Sequence, residues 1–182
     1  ADLRGQRLGG RVEVLIRPDG NTAPTLNARG TAAAAQLKPF LPSAVKVSGS
    51  TQWKLATDFH TETGEAERKS GVRIESDLRG LGIALPEPVG KGESESRPFQ
   101  VTLESDGDDA VLARSWLGDV RAIVRVARSG DGGAWSLDRG GIRADGNAPA
   151  LPNHRGLRIE GAIEHFVLDD WLALRGDATD SG

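Results

Sequence analysis

The sequence predicts an all-β protein, an antiparallel meander with few short helices, and alternation alone leaves its apolar face open between a closed sandwich or barrel and a curved, twisted open sheet, a β-groove. Three observations predict it. Apolar and polar residues alternate with a period of two in segment after segment. Clusters of Gly, Pro, Asn and Asp punctuate those segments. Aromatic residues make up only 4% of the chain while glycine occurs 24 times, which suits thin, turn-rich layers better than a bulky helical interior.

Taken in order, Val12, Val14 and Ile16 fall on one face and Arg11, Glu13 and Arg17 on the other, before a turn over Arg17-Pro18-Asp19-Gly20-Asn21. Thr31 to Leu41 has helical character, with four consecutive alanines, although Pro39 would interrupt it. Residues 45 to 59 alternate again, Val45, Val47, Thr51, Trp53 and Leu55 against Lys46, Ser48, Gln52 and Lys54, over a length unusual for one strand. Val72, Ile74 and Leu78 oppose Arg73, Glu75 and Asp77. A polar stretch, residues 86 to 97, is expected to cross a sheet edge. Phe99, Val101 and Leu103 then oppose Gln100, Thr102 and Glu104, and Val120, Ala122, Val124 and Val126 oppose Arg121 and Arg125. Trp135 and Leu137, and then Leu157, Ile159 and Ile163, complete the apolar set. Turns are expected at Asp106-Gly107-Asp108-Asp109, at 129–133 and at Asp145-Gly146-Asn147. Asp169 to Leu174 offers a short helix with Asp169 or Asp170 as its N-cap.

At 182 residues the chain fits one domain, or one slice of a repetitive architecture, without a second domain. The formal net charge of -3 argues against a nucleic-acid partner, which would call for a concentrated basic excess. With no cysteine, disulfides and thiolate metal sites are excluded. Methionine is absent even at position 1, as expected of a piece of a longer chain, and no apolar run is long enough to span a bilayer. Any membrane anchor is therefore expected outside these residues.

Catalytic chemistry finds little support. His60, His154 and His165 lack neighbours at metal-ligand spacing. The Asp106–Asp109 cluster begins like a calcium loop, but its glycine is misplaced and no glutamate stands at the twelfth position, so a solvated hairpin turn is the better reading. Gly80-Leu81-Gly82 begins like a dinucleotide fingerprint, yet Leu85 holds the third glycine position and Pro86 follows where a helix should start. No Gly-x-Ser-x-Gly elbow is present. Arg114, Arg121, Arg125 and Arg128 form a basic cluster, for which pairing with acidic residues on the neighbouring strand is favoured over phosphate binding. The four tryptophans, 53, 116, 135 and 171, suit core or rim packing better than ligand platforms.

One stretch stands apart. Glu75 to Lys91 leaves a strand, turns on Gly80 and Gly82, passes through Ile83-Ala84-Leu85 and ends in a Pro86-Glu87-Pro88 break followed by Lys91. The form S-D-L-x-G-L-x-I-x-L-P-x-P-x-x-K resembles the YhdP branch of the AsmA-like proteins, large envelope proteins of Gram-negative bacteria. Ala148 to Pro152, Gly156 to Gly161 and Leu168-Asp169-Asp170-Trp171 resemble the same branch, so the likeness spans about Val45 to Trp171, with residues 1 to 44 matching by pattern only.

The resemblance implies a periplasmic β-groove, tethered to the inner membrane by a segment elsewhere in a longer chain, whose apolar channel shields phospholipid acyl chains on the way to the outer membrane and so supports outer-membrane integrity. On that reading Val72, Ile74, Leu78, Phe99, Val101, Leu103, Val120, Val124, Leu157, Ile159 and Ile163 line the groove, and phospholipid and the two membranes are the partners. Gly80, Gly82, Pro86 and Pro88 would set the bend, because the glycines permit positive φ and the prolines remove ladder donors. The resemblance carries no catalytic residue, cofactor or metal ligand. The alternative is a structural or interaction module, a β-sandwich whose apolar faces meet only each other.

Overall fold

A computed structural model describes residues 12–19, 22–38, 41, 45–59, 70–128, 133–162, 167 and 169–172. Ten strands account for most of them: β1 (Glu13–Asp19), β2 (Thr22–Ala33), β3 (Lys46–Phe59), β4 (Ser70–Ser76), β5 (Leu81–Ala84), β6 (Phe99–Ser105), β7 (Ala110–Leu117), β8 (Val120–Arg128), β9 (Trp135–Arg143) and β10 (Gly156–Glu160). Nine of them form one open sheet in the order β1-β2-β3-β4-β6-β7-β8-β9-β10, and β5 pairs separately with the start of β3.

Alternation explains why most of these segments are strands, since each can then turn one apolar face the same way, while β2, β5 and β7 are held by pairing to their neighbours. The meander holds from β1 to β9, where every neighbour is antiparallel. It fails at the last step: β10 runs parallel to β9, with Leu157 beside Gly140 and Ile159 beside Ile142. A parallel return cannot be made by a tight hairpin and needs a connection of about a dozen residues, which residues 144–155 supply without a helix.

Thr31 to Leu41 is helical only in its middle. Thr31, Ala32 and Ala33 extend β2, opposite Gln52, Thr51 and Ser50, and only Ala34–Leu37 turns as α1. Alanine has high helix propensity, but ladder bonds to a long neighbouring strand outweigh a preference worth tenths of a kcal/mol per residue. Gln36 Oε1 accepts the Ala33 N–H at 3.0 Å and so caps the short turn. Residues 169–172 form a helical turn as expected; Ala173 and Leu174, like Gly20 and Asn21 of the first turn and residues 129–132 of a later one, lie outside the described residues.

The length of β3 has a structural use. Its first residues, Lys46 to Gly49, pair with β5, and its remainder pairs with β2 and β4. The change of partner happens at Gly49, whose φ of +75° is a conformation L side chains rarely adopt, and where a Cβ would collide with the Gly80 carbonyl. A small apolar cluster closes this end of the sheet: Ala34, Leu78 and Leu81 are buried, with Leu37, Val47, Ile83, Phe99 and Leu117 packed around them. Among the described residues no large side chain is fully buried anywhere. The described residues form a single layer with a plug at one end.

Candidate functional site

Cross-strand register decides which side chains share a face. One row runs Val14, Ala28, Leu55, Ile74, Val101, Ser115, Ala122, Ile142, Ile159. The adjacent row runs Ile16, Leu26, Thr57, Val72, Leu103, Ala113, Val124, Gly140, Leu157. Phe99, Leu117 and Val120 begin a third. Nine strands spaced about 4.8 Å apart give this apolar band a width of roughly 40 Å.

Nine of the eleven groove candidates lie on this one face: Val72, Ile74, Phe99, Val101, Leu103, Val120, Val124, Leu157 and Ile159. Those on β4, β6 and β8 are half-buried, while Leu157 and Ile159 on the last strand are 47% and 68% exposed. Leu137 and Trp135 join them at that end, and the Trp135 ring carries the Arg128 guanidinium 5.0 Å from its centroid. Leu78 is the exception among the described candidates. It lies beyond the end of β4 at φ +51° and is buried in the plug, so it holds the fold together instead of lining the face. Ile163 lies outside the described residues.

The opposite face is polar. Its rows run Glu13, Arg29, Lys54, Glu75, Gln100, Trp116, Arg121, Arg143 and Arg73, Thr102, Arg114, Ile123. Two open depressions of about 930 and 760 Å³ indent this polar side, the larger reaching from β1 to β7 and the smaller around β1 to β4, with Glu13, Arg29, Lys54 and Glu75 lining both. A twisted sheet is a saddle, so each side is dished along one direction. The basic cluster is held by ion pairs: Arg114 to Glu104 at 2.5 Å and Arg125 to Asp106 at 2.6 Å and Asp138 at 2.7 Å, with Arg121 stacked 5.1 Å over Trp116.

The signature stretch turns out to be the plug. Ser76 Oγ donates to the Gln52 carbonyl at 2.7 Å and accepts the Leu78 N–H at 3.0 Å, and Asp77 Oδ1 accepts the Arg79 N–H at 3.0 Å. Gly80 has φ +88° and lies against Ser50, whose N–H donates to the Gly80 carbonyl at 2.9 Å. Gly82 does not use positive φ; it is needed because a Cβ there would meet Ser48 Oγ at 2.7 Å and Glu93 Cγ at 3.1 Å. The Pro86 carbonyl accepts N–H groups from Val89 and Gly90, and the Pro88 carbonyl accepts Arg97 Nη1 at 2.6 Å. The polar crossover then folds back along β5, where Ile83 and Lys91 exchange N–H···O bonds of 2.9 and 3.0 Å.

Lys91, the last residue of the signature, is the side chain that sequence reasoning missed. It is buried, and its ammonium donates to the carbonyls of Leu78 (2.9 Å), Leu81 and Gly92 (2.8 Å). Burial holds its pKa below the ordinary lysine value, partly opposed by Glu95. A lysine at fixed spacing after two prolines was the available signal, but nothing local shows that its head turns inward. The contacts give this lysine a structural role.

Among the described residues no group of His, Asp or Glu is arranged to hold a metal ion, and no helix is long and apolar enough to cross a membrane. No curated protein and no solved structure matches the chain. The YhdP protein family matches residues 1–181, nearly the whole length. With the signature accounted for as the folded plug of an open sheet, the chain belongs to the YhdP protein family.

Proposed function

We propose that the apolar face shields phospholipid acyl chains during transport between the inner and outer membranes of a Gram-negative cell, in the periplasm, and thereby supports outer-membrane integrity. The observation that carries the reading is a predominantly apolar face, interrupted only at Thr57 and Ser115 in its two central rows, that crosses nine strands with no second layer over it among the described residues. A soluble protein leaves such a face uncovered only where something apolar covers it in use. Each buried methylene contributes about 0.8 kcal/mol, so a band of this width can hold two acyl chains without fixed polar contacts and let them slide. Family membership supports an envelope setting. The chemistry needs no bond to form or break, which is why the reading is of a carrier and not an enzyme.

The test is to place glutamate at Ile74, Val101 and Val124 in the full-length protein and measure its abundance together with outer-membrane permeability. These positions share the two apolar rows and are half-buried. Normal abundance with a leaky envelope is the expected result. Disappearance of the protein would show that another layer buries the face, favouring a closed module, and a normal envelope with normal abundance would remove the face from function.

A further inference from the structure

We propose that the polar face at the junction of β8, β9 and the start of β10 binds an oxyanion of the phosphate class. The inference is independent of the role given to the apolar face.

Arg125 and Arg139 are direct cross-strand partners. Like charges placed opposite each other in an antiparallel pair destabilise it unless something of opposite charge lies between them. The strand supplies one such group by a bulge: Asp138 is the extra residue where the register shifts between Arg125 and Val126. Its carboxylate faces three guanidinium groups, Arg125 Nη1 at 2.7 Å, Arg155 Nε at 3.3 Å and Arg139 Nε at 3.7 Å. Asp106 takes the Nε of Arg125 at 2.6 Å. Two carboxylates thus serve three permanently charged guanidiniums. The Arg125 hydrogen bond holds the Asp138 carboxyl below its usual range, so the carboxylate is already ionised at neutral pH and has no further charge to offer.

The unmet demand has a location. Arg139 Nε is shut off from solvent and has no hydrogen-bond partner, since 3.7 Å to Asp138 is too long for one. The next position along that ladder row is Gly156, which has no side chain to cover the guanidinium, and 32% of the Arg139 side chain is exposed, so an anion meets that exposed part. Arg155 flanks it with 84% of its side chain exposed. A forked guanidinium pair beside a glycine ladder position suits the several acceptor oxygens of a phosphate better than a single carboxylate. The phosphate could belong to a lipid headgroup or to a free ion.

The experiment titrates the protein with inorganic phosphate, and separately with phosphatidylcholine vesicles with and without phosphatidic acid, in the wild type, Arg139→Gln, Arg155→Gln and Arg29→Gln. Arg29 makes an exposed pair with Glu13 at the other end of the sheet, so its variant changes net charge equally without touching the junction. The expected result is binding of at least one phosphate probe that weakens about tenfold in Arg139→Gln and Arg155→Gln and is unchanged in Arg29→Gln. Loss for inorganic phosphate would assign a free ion, and loss for phosphatidic acid vesicles only would assign a headgroup. Arg155 is exposed, so its variant carries the test even if Arg139→Gln melts early. Absence of binding by the wild type, or equal weakening in Arg29→Gln, would overturn the proposal.

Discussion

A lysine in the interior is worth keeping only if its charge is answered, and Lys91 is answered by three backbone carbonyls of the plug. Changing it to methionine keeps the stem and removes the donors, leaving carbonyls unsatisfied at a cost of about 1–3 kcal/mol. The pH dependence has a definite sign. Burial lowers the folded pKa below 10.5, so between those two values the unfolded chain holds more protons than the folded one, and stability rises with pH across that window. Denaturant titrations at neutral and at alkaline pH should therefore show the wild type gaining stability relative to Lys91→Met as pH rises. A constant difference would mean that the ammonium is not buried. The chain has no tyrosine or cysteine to obscure the effect.

At the scale of elements, two backbones meet where β3 changes partner. Gly49 and Gly80 both have positive φ, and a Cβ on either would strike the other segment, at the Gly80 carbonyl and at the Ser50 carbonyl respectively. Valine at either position should lower stability by at least about 2 kcal/mol, more than the roughly 1 kcal/mol typical of a point change, because left-handed strain adds to the collision. Alanine at Gly107, also at positive φ but in an open hairpin turn with nothing near its Cβ, is the comparison that isolates strain from collision. Melting curves of the three variants check it, and an equal loss in all three would remove the close approach from the explanation. The last element pair has its own chemistry. Arg143 holds the Asp145 carboxyl far below the usual range, and Arg125 lowers the Asp138 carboxyl as well. Groups depressed in this way stabilise the fold above their unfolded pKa near 3.8 and lose that contribution as pH falls through the folded value. Acid titration of Asp138→Asn should show a shallower loss of stability below about pH 4 than the wild type.

Among the described residues the packing lies at one end and the rest of the apolar face is open, so mutational cost should follow that gradient. Leu81 is 3% exposed inside the plug, and Leu81→Ala should cost about 2–5 kcal/mol. Ile159 is 68% exposed on the apolar face, and Ile159→Ala should cost under about 1 kcal/mol. Denaturant midpoints of the two variants decide between this gradient and a face buried by a further layer, which would make the two losses similar.

Strand identity was legible in the sequence for β1, β3, β4, β6, β8, β9 and β10, where a period of two survives, whereas β2, β5 and β7 lack a clean alternation and only their pairing shows them as strands. So was membership of the face: Val72, Val101 and Val124 can be placed from parity once each strand is known. What sequence could not show depends on groups distant in the chain. The parallel return of β10 follows from where residues 144–155 cross, not from any alternation within β10. Leu78 keeps parity with Ile74 in sequence, yet a backbone turn at φ +51° takes it out of the strand and into the plug. Thr31 to Ala33 carry helical propensity and still form strand, since their partners Ser50 to Gln52 are fixed by β3. Periodicity is a property of one segment read by itself, and so survives in sequence; direction, enclosure and the partners of a buried charge are properties of pairs, which only the folded chain brings together.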